Sequence, residues 1–303
     1  MSAALWSARY LHSTVVIDAG DPRNWETRGI HGYLGLDGIT SPELRQRGRA
    51  EAERVGAHFI HASVDTVTRI DDDYFSITLE RGMTIITARL LLAIGIQDVW
   101  PDIPGLDRCY GKTAHVCPDC DGYEARDSKV VVIGAGRKAM GMALALTTWT
   151  NDIVICTNGE PPDLTERSLQ QLTTLNIPVL DARIRCLRSD HGELHTLDFD
   201  GGMSLDCAHL FFALGQAAAD DLGTKLGCTR DSIGRVITDE HYHTSVRNVY
   251  AAGDIVRGPQ LAIGAAASGA IAAMAIHHSL VPAVRRLEDP EAAPERETTT
   301  SAN

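Results

Sequence analysis

The densest chemistry in the chain lies in the stretch His115-Val116-Cys117-Pro118-Asp119-Cys120-Asp121-Gly122-Tyr123-Glu124. Two cysteines separated by two residues can form a redox pair, half of a metal site, or two buried thiols that happen to be close. A structural zinc site needs two further Cys or His ligands at paired spacing. No second CxxC exists, and His241 and His243 are isolated far away in sequence. Inert thiols need neither Pro118 nor the acid at Asp121. Redox use is the favoured reading, because a CxxC pair lowers the pKa of one thiol and closes a short loop that thiolate attack opens easily. Asp121 is placed to exchange a proton with a departing thiolate. His115 reads as an exposed turn histidine in preference to a residue that tunes the thiol.

A glycine turn follows at once. KVVVIGAG from Lys129 reads as a strand entering a turn, RKAMGMALALTTW as a helix and DIVICTNG as the next strand, a βαβ nucleotide-binding unit. Gly134-Ala135-Gly136-Arg137-Lys138-Ala139 fits the GxGxxA dinucleotide fingerprint. In it Gly134 makes the tight turn, Gly136 admits the pyrophosphate and Ala139 lets the helix pack close to the strand. Free N–H groups at the helix N-terminus then hold phosphate. The next strand should end in an acid for the ribose of NAD, or near basic residues for the phosphate of NADP. It ends in Cys156-Thr157-Asn158-Gly159, which supplies neither; Arg137, Lys138 and Arg167 read more simply as solvated charges.

The remaining elements must hold these sites. STVVIDAG reads as a buried parallel strand, SAALWSARYL before it as a helix, and Ser41-Pro42-Glu43 as a capped helix start running to about Gly56. HFIHASV is a further strand, and YFSITLE with MTIITARLLLAIG makes an antiparallel excursion that returns to the sheet. The 303 residues, 44% apolar, suffice for one large domain or two ordinary ones. A net charge of −12 opposes binding to nucleic acid or an anionic membrane. The chain opens without a basic and apolar leader, so cytoplasmic residence is expected. Seven cysteines without framework spacing point mostly to buried thiols in a reducing compartment. LAIGAAASGAIAAMAI, from Leu261 to Ile276, is shorter than the ~20 residues of a bilayer span and reads as a closely packed internal helix. His277 and His278 read as caps of its last turn.

The order of CxxC-Asp, a strand with GxGxxA, and AAGD (Ala251 to Asp254) before a small-residue helix resembles the low-molecular-weight thioredoxin reductase family of flavoproteins. The likeness runs from Ser2 to about Leu280. It implies an α/β fold of two Rossmann-like, three-layer nucleotide-binding domains, the NAD(P)H domain inserted in the FAD domain. The expected boundaries are 1–112 and 242–285 for the FAD domain, 113–241 for the insert and 286–303 for a disordered tail. FAD and NADPH, or NADH, are the implied cofactors. A thioredoxin-like protein or a small-molecule disulfide is the implied partner, and a homodimer the implied assembly. Carried over by position, Cys120 faces the flavin, Cys117 attacks the substrate disulfide and Asp121 is the acid. Asp18 falls where the family holds the adenosine ribose, Val64 joins the cofactor contacts, and Gly95 lies in the family's ATG motif with Ile94 in place of Thr. Asp254, after Gly253, holds the ribityl chain. Gln260, Leu261 and Ala262 present a helix N-terminus to the flavin pyrimidine edge, where reduced flavin is negative.

Three departures qualify that likeness. The family's first strand and GxGxxG are absent, since Met1-Ser2-Ala3-Ala4 begins inside the helix that follows them; an upstream start codon and weak FAD binding by this polypeptide are expected. The HRRxxxR element for the NADP phosphate has no counterpart between Cys156 and Arg167. CPDC replaces the CATC of thioredoxin-specific members. A related branch, the FAD-dependent dithiol oxidases of gliotoxin and holomycin biosynthesis, keeps the CxxC and passes electrons from a small-molecule dithiol to oxygen. His often follows the second cysteine there, so Asp121 favours the reductase. A third alternative is an FAD-free remnant with a binding or regulatory role.

Overall fold

The computed structural model describes residues 1–20, 22, 23 and 25–286. Apolar runs without polar alternation become interior strands of a parallel sheet, because both of its faces are covered. Val130–Ile133, buried at every position, is the central strand. It pairs in parallel with Ile153–Cys156 on one side and His209–Phe212 on the other, and Val179–Leu180 and Ala114–His115 complete a five-stranded sheet at its edges. Alternate residues serve opposite faces. Val130 and Val132 pack with Ala139, Ala143 and Leu146 of helix Arg137–Leu146, whereas Val131 and Ile133 pack with Leu187, Leu197 and Phe199. The latter come from an antiparallel sheet, Ile184–Asp190, Glu193–Phe199 and Ser204–Asp206, which makes the third layer.

The first body is built differently. Strand Val15–Asp18 pairs in parallel with His58–His61, and Leu90–Leu92 with Val249–Ala251, as two separate sheets. Among the described residues no strand joins the two pairs. The antiparallel excursion is Val64–Arg69, Phe75–Leu79 and Thr84–Thr87. The expected single strand HFIHASV is therefore cut at Ala62-Ser63, since its two halves serve different sheets. Helix Ser41–Arg54 starts one residue earlier in cap than expected: Thr40 Oγ1, not Ser41, accepts the Glu43 N–H at 3.3 Å.

Helix Ala262–Leu280 has 19 residues and mean hydropathy 1.3, enough by length and composition to cross a membrane. Here Ser268, Gly269, Ala272, Ala273 and Ile276 are buried, and the helix packs on Ser2–Arg9. A Cβ on Gly269 would lie 3.2 Å from the Ala3 nitrogen, so the small residue permits the close approach.

The two bodies join through an antiparallel pair, Ile96–Asp98 with Gln216–Ala218. Core packing changes partner there. Ile103, Leu106 and Tyr110 already pack with the five-stranded sheet, while Leu222, Cys228 and Val236 pack with Phe75, Leu92 and Val249 of the first body. Both changes come earlier in the chain than the expected boundaries at 112 and 241. The expected tail, 286–303, lies outside the described residues except for Arg286.

Candidate active site

Edge strand Ala114–His115 delivers the chain into a single helical turn, Pro118–Asp121. Cys117 is its N-cap, and its Sγ accepts the Cys120 N–H at 3.2 Å. Pro118 costs nothing at the first helical position, where its missing N–H would have no partner. Cys117 and Cys120 are joined as a disulfide with their Cα atoms 5.3 Å apart, and both are half-buried. The N–H aimed at Cys117 Sγ favours negative charge on that sulfur once the bond opens. Gly122 closes the turn beneath Trp149. A Cβ there would sit 2.5 Å from the Pro118 carbonyl oxygen and 2.5 Å from the indole, so only glycine fits.

Asp121 Oδ1 lies 3.4 Å from His115 Nδ1. His115 is not an exposed turn residue. It is 6% exposed, because its strand pairs with Leu210-Phe211 and lays the imidazole against Phe211 and His209. Burial, reinforced by His115, pushes the His209 imidazole down to about 4. Four of the other five thiols are shielded: burial pushes Cys156 and Cys207 up to about 12, Cys109 and Cys228 are also buried, and Cys186 is half-buried.

The glycine turn sits beside this segment. Gly134 adopts φ +147° and would place a Cβ 2.9 Å from that of Ala139, which is 1% exposed. Gly136 is the N-cap of helix Arg137–Leu146 and leaves its first N–H groups without a side-chain partner. A cavity of about 290 Å³ opens there, lined by Gly134, Ala135, Thr157, Asn158 and Glu160 among others. Thr157 Oγ1 donates to the Glu160 carbonyl and shapes the turn after the strand. Sequence reasoning missed three charges here. Glu160 lines the cavity, the Asp163 carboxylate lies 3.5 Å from where a Gly136 Cβ would be, and exposed Arg183 packs on Gly159. Lys138 Nζ instead lies beside Gly215.

A third cluster forms where the bodies meet, around a residue that sequence spacing gave no reason to single out. Arg23 binds Asp98 through two hydrogen bonds, 2.6 and 2.7 Å, and its Nη1 reaches Gln260 Oε1 at 3.0 Å and Asp254 Oδ2 at 3.3 Å. Gln216 bridges Asp98 and Gln260. Asp254 and Gln260 thus come together, gathered by the Arg23 fork. Burial pushes the Asp254 carboxyl above its ordinary value, with Arg23 opposing. Gly253 (φ +80°) turns the chain after strand Val249–Ala251, its N–H held by Ser268 Oγ at 2.9 Å. Leu261 caps helix Ala262–Leu280 without a side-chain bond. Asp18, at its strand end, accepts the Gly20 N–H and pairs with Arg45 at 2.7 Å. Gly95 turns with φ +71°, and Val64 starts its antiparallel strand opposite Leu79.

The family model described as pyridine nucleotide-disulphide oxidoreductase matches residues 1–269. The chain belongs to this family. Among its relatives, the probable thioredoxin reductase of Arthroderma benhamiae is 26% identical, over 92% of this chain and 77% of its own length. The solved structure of the putative thioredoxin reductase TrxB of Bacillus anthracis superposes with TM-score 0.85 at 30% identity, covering 92% of this chain and 93% of that one. The structure of HlmI superposes with TM-score 0.87 at 33% identity, covering 92% and 88%. The protein is accordingly a thioredoxin reductase-like flavoprotein oxidoreductase with Rossmann-like domains.

Membership implies a flavin and a pyridine nucleotide, and the donor sets can be tested against both. The pyridine-nucleotide-disulphide fold needs a turn where backbone approaches phosphate, and Gly134 with the uncapped helix start behind Gly136 fits it. For the flavin, the acids Asp18 and Asp254, the turns at Gly95 and Gly253, and the helix start at Leu261 fit hydroxyls and a carbonyl edge. Among the described residues, the first body has no glycine turn joined to a central strand for its pyrophosphate.

Proposed function

We propose that the chain passes electrons from NAD(P)H to the Cys117–Cys120 pair and on to a thioredoxin-like protein or a small-molecule disulfide. The half-exposed disulfide, capping a helical turn with Asp121 directly behind it, is the observation that carries this reading. Bound FAD would supply the two-electron relay between nicotinamide and dithiol. Asp18, Gly95, Asp254 and the Leu261 helix start would hold it, and Gly134 to Gly136 would hold the nucleotide. Asp121 gives a proton to the sulfur of Cys120 as it leaves, and takes it back when that sulfur attacks. Cys117 attacks the external disulfide, forms a mixed disulfide and expels one thiolate. Cys120 then attacks Cys117, releases the second thiol and restores the intramolecular bond, so two electrons leave with the product. The paired segments Ile96–Asp98 and Gln216–Ala218 are where one body would turn relative to the other. A homodimer is part of the reading.

Glu160 in the cavity suits a free ribose 2′-hydroxyl, and so NADH; Arg183 beside Gly159 is the group a 2′-phosphate would use. One observation favours a second reading. The Asp163 carboxylate at Gly136 opposes a pyrophosphate, which suits a dithiol oxidase whose electrons enter at the cysteines and leave to oxygen. Anaerobic mixing of flavin-loaded protein with NADH and with NADPH separates the two. Rapid flavin bleaching, with disulfide turnover lost in Cys117→Ser but bleaching retained, supports the reductase. Bleaching by dithiols alone supports the oxidase.

A further inference from the structure

Asp121 is the first member of a line of side chains that runs away from the dithiol. Its Oδ1 is 3.4 Å from His115 Nδ1, and His115 Nε2 is 3.4 Å from His209 Nδ1. The two imidazoles meet edge to edge, with centroids 5.6 Å apart and planes 22° apart. His115 has two ring nitrogens and both are committed along this line. Both histidines sit on adjacent paired strands, Ala114–His115 and His209–Phe212, so rigid backbone sets their spacing. A buried polar ring is expensive unless bonded, and an apolar side chain would fill the position against Phe211 at lower cost. Packing therefore gives no reason for imidazole at His115.

We propose that His115 and His209 form a proton wire connecting Asp121, the acid that follows Cys120 in the chain, to solvent, with the histidines acting as relay and positioning residues. The inference rests on the redox reading of Cys117 and Cys120. With neutral rings, His115 donates from Nδ1 to the Asp121 carboxylate and accepts at Nε2 from His209 Nδ1–H. When a sulfur leaves as thiolate, Asp121 hands it a proton received from His115 Nδ1. His115 Nε2 takes one from His209 Nδ1, and His209 Nε2 takes one from water. One proton has then moved from solvent to sulfur, and no electron travels along the wire. Disulfide formation runs it in reverse. The low affinity of His209 for a proton, set first by burial and then by His115, keeps it neutral near pH 7, able to pass a proton without storing one. The other charges acting on it are Asp121, Glu193 and Arg28, the last two paired with each other at the surface.

The test is reduction of the Cys117–Cys120 disulfide by dithiothreitol in the full chain, followed by alkylation trapping across pH. His115→Gln and His209→Gln should each slow opening on the order of tenfold at about pH 8, where free protons are scarce, and little at about pH 6. Neither should add to the loss already caused by Asp121→Asn, and the wild-type solvent isotope effect should vanish in both. Equal slowing at both pH values, further slowing in the Asp121→Asn background, or no slowing at all would overturn the wire. Should His115→Gln fail to fold, His209→Gln carries the same comparison. Dithiothreitol needs neither nucleotide nor flavin. A chain that ignores NAD(P)H yet shows the pH pattern would sink the electron source and keep the wire, and the opposite pattern would sink the wire alone.

Discussion

Replacing Arg23 with leucine tests how the meeting point of the two bodies is held. The change removes two hydrogen bonds, 2.6 and 2.7 Å, from Asp98, whose side chain is 4% exposed. Among the described residues the carboxylate keeps one side-chain donor, Gln216 Nε2 at 3.0 Å. A buried carboxylate stripped of its cation loses the attraction that offset its desolvation, which costs about 3–5 kcal/mol. Removing both charges in Arg23→Leu/Asp98→Leu leaves only Asp254, whose side chain is 23% exposed, without its cation, and should recover most of that, because apolar replacements of buried ion pairs are about neutral or stabilising. Urea unfolding of wild type, single and double variants reads the difference directly. A single-variant loss under about 1 kcal/mol, the range of exposed pairs, would refute the reasoning, as would a double variant no more stable than the single. The same substitution removes the cation that opposes burial at Asp254, so that carboxyl moves further up. Weaker flavin binding should accompany it, measured by fluorescence titration with FAD.

Gly122→Ala should destabilise by about 1–3 kcal/mol, because its methyl meets a backbone carbonyl and the Trp149 ring and overpacking forces the turn to move; thermal melts and the rate of disulfide opening check it. Asp198 accepts hydrogen bonds from Ser204, Arg188 and Arg185, which hold its carboxyl down at about 2. A depressed carboxylate contributes stability above its ordinary value of 3.8 and loses it as pH falls toward 2, so the stability gap between wild type and Asp198→Asn should narrow over that window in melts taken stepwise. Iodoacetamide at about pH 8 should leave Cys156 and Cys207 unlabelled, since burial pushes both thiols up to about 12, while Cys117 and Cys120 become labelled only after reduction. Peptide mass spectrometry gives the answer, and labelling of Cys156 in the native protein would contradict its burial.

Local pattern alone marked the CxxC turn and the glycine turn. CxxC followed by an acid places two sulfurs on one side of a helical turn, and KVVVIGAG followed by a small-residue helix builds a strand and a tight turn whatever surrounds them. Charges that act across long separations were not legible. Arg23 meets Asp98, Asp254 and Gln260 only because the loop after Val15–Asp18 folds against the junction of the bodies. His115 looked like an exposed turn residue because two residues of edge strand carry no alternation to read; pairing with Leu210-Phe211 buried it beside His209. Sequence determines what short-range geometry and residue chemistry can specify within a turn. Which carboxylate faces which cation or imidazole depends on how distant segments pack, and the tertiary structure alone decided that.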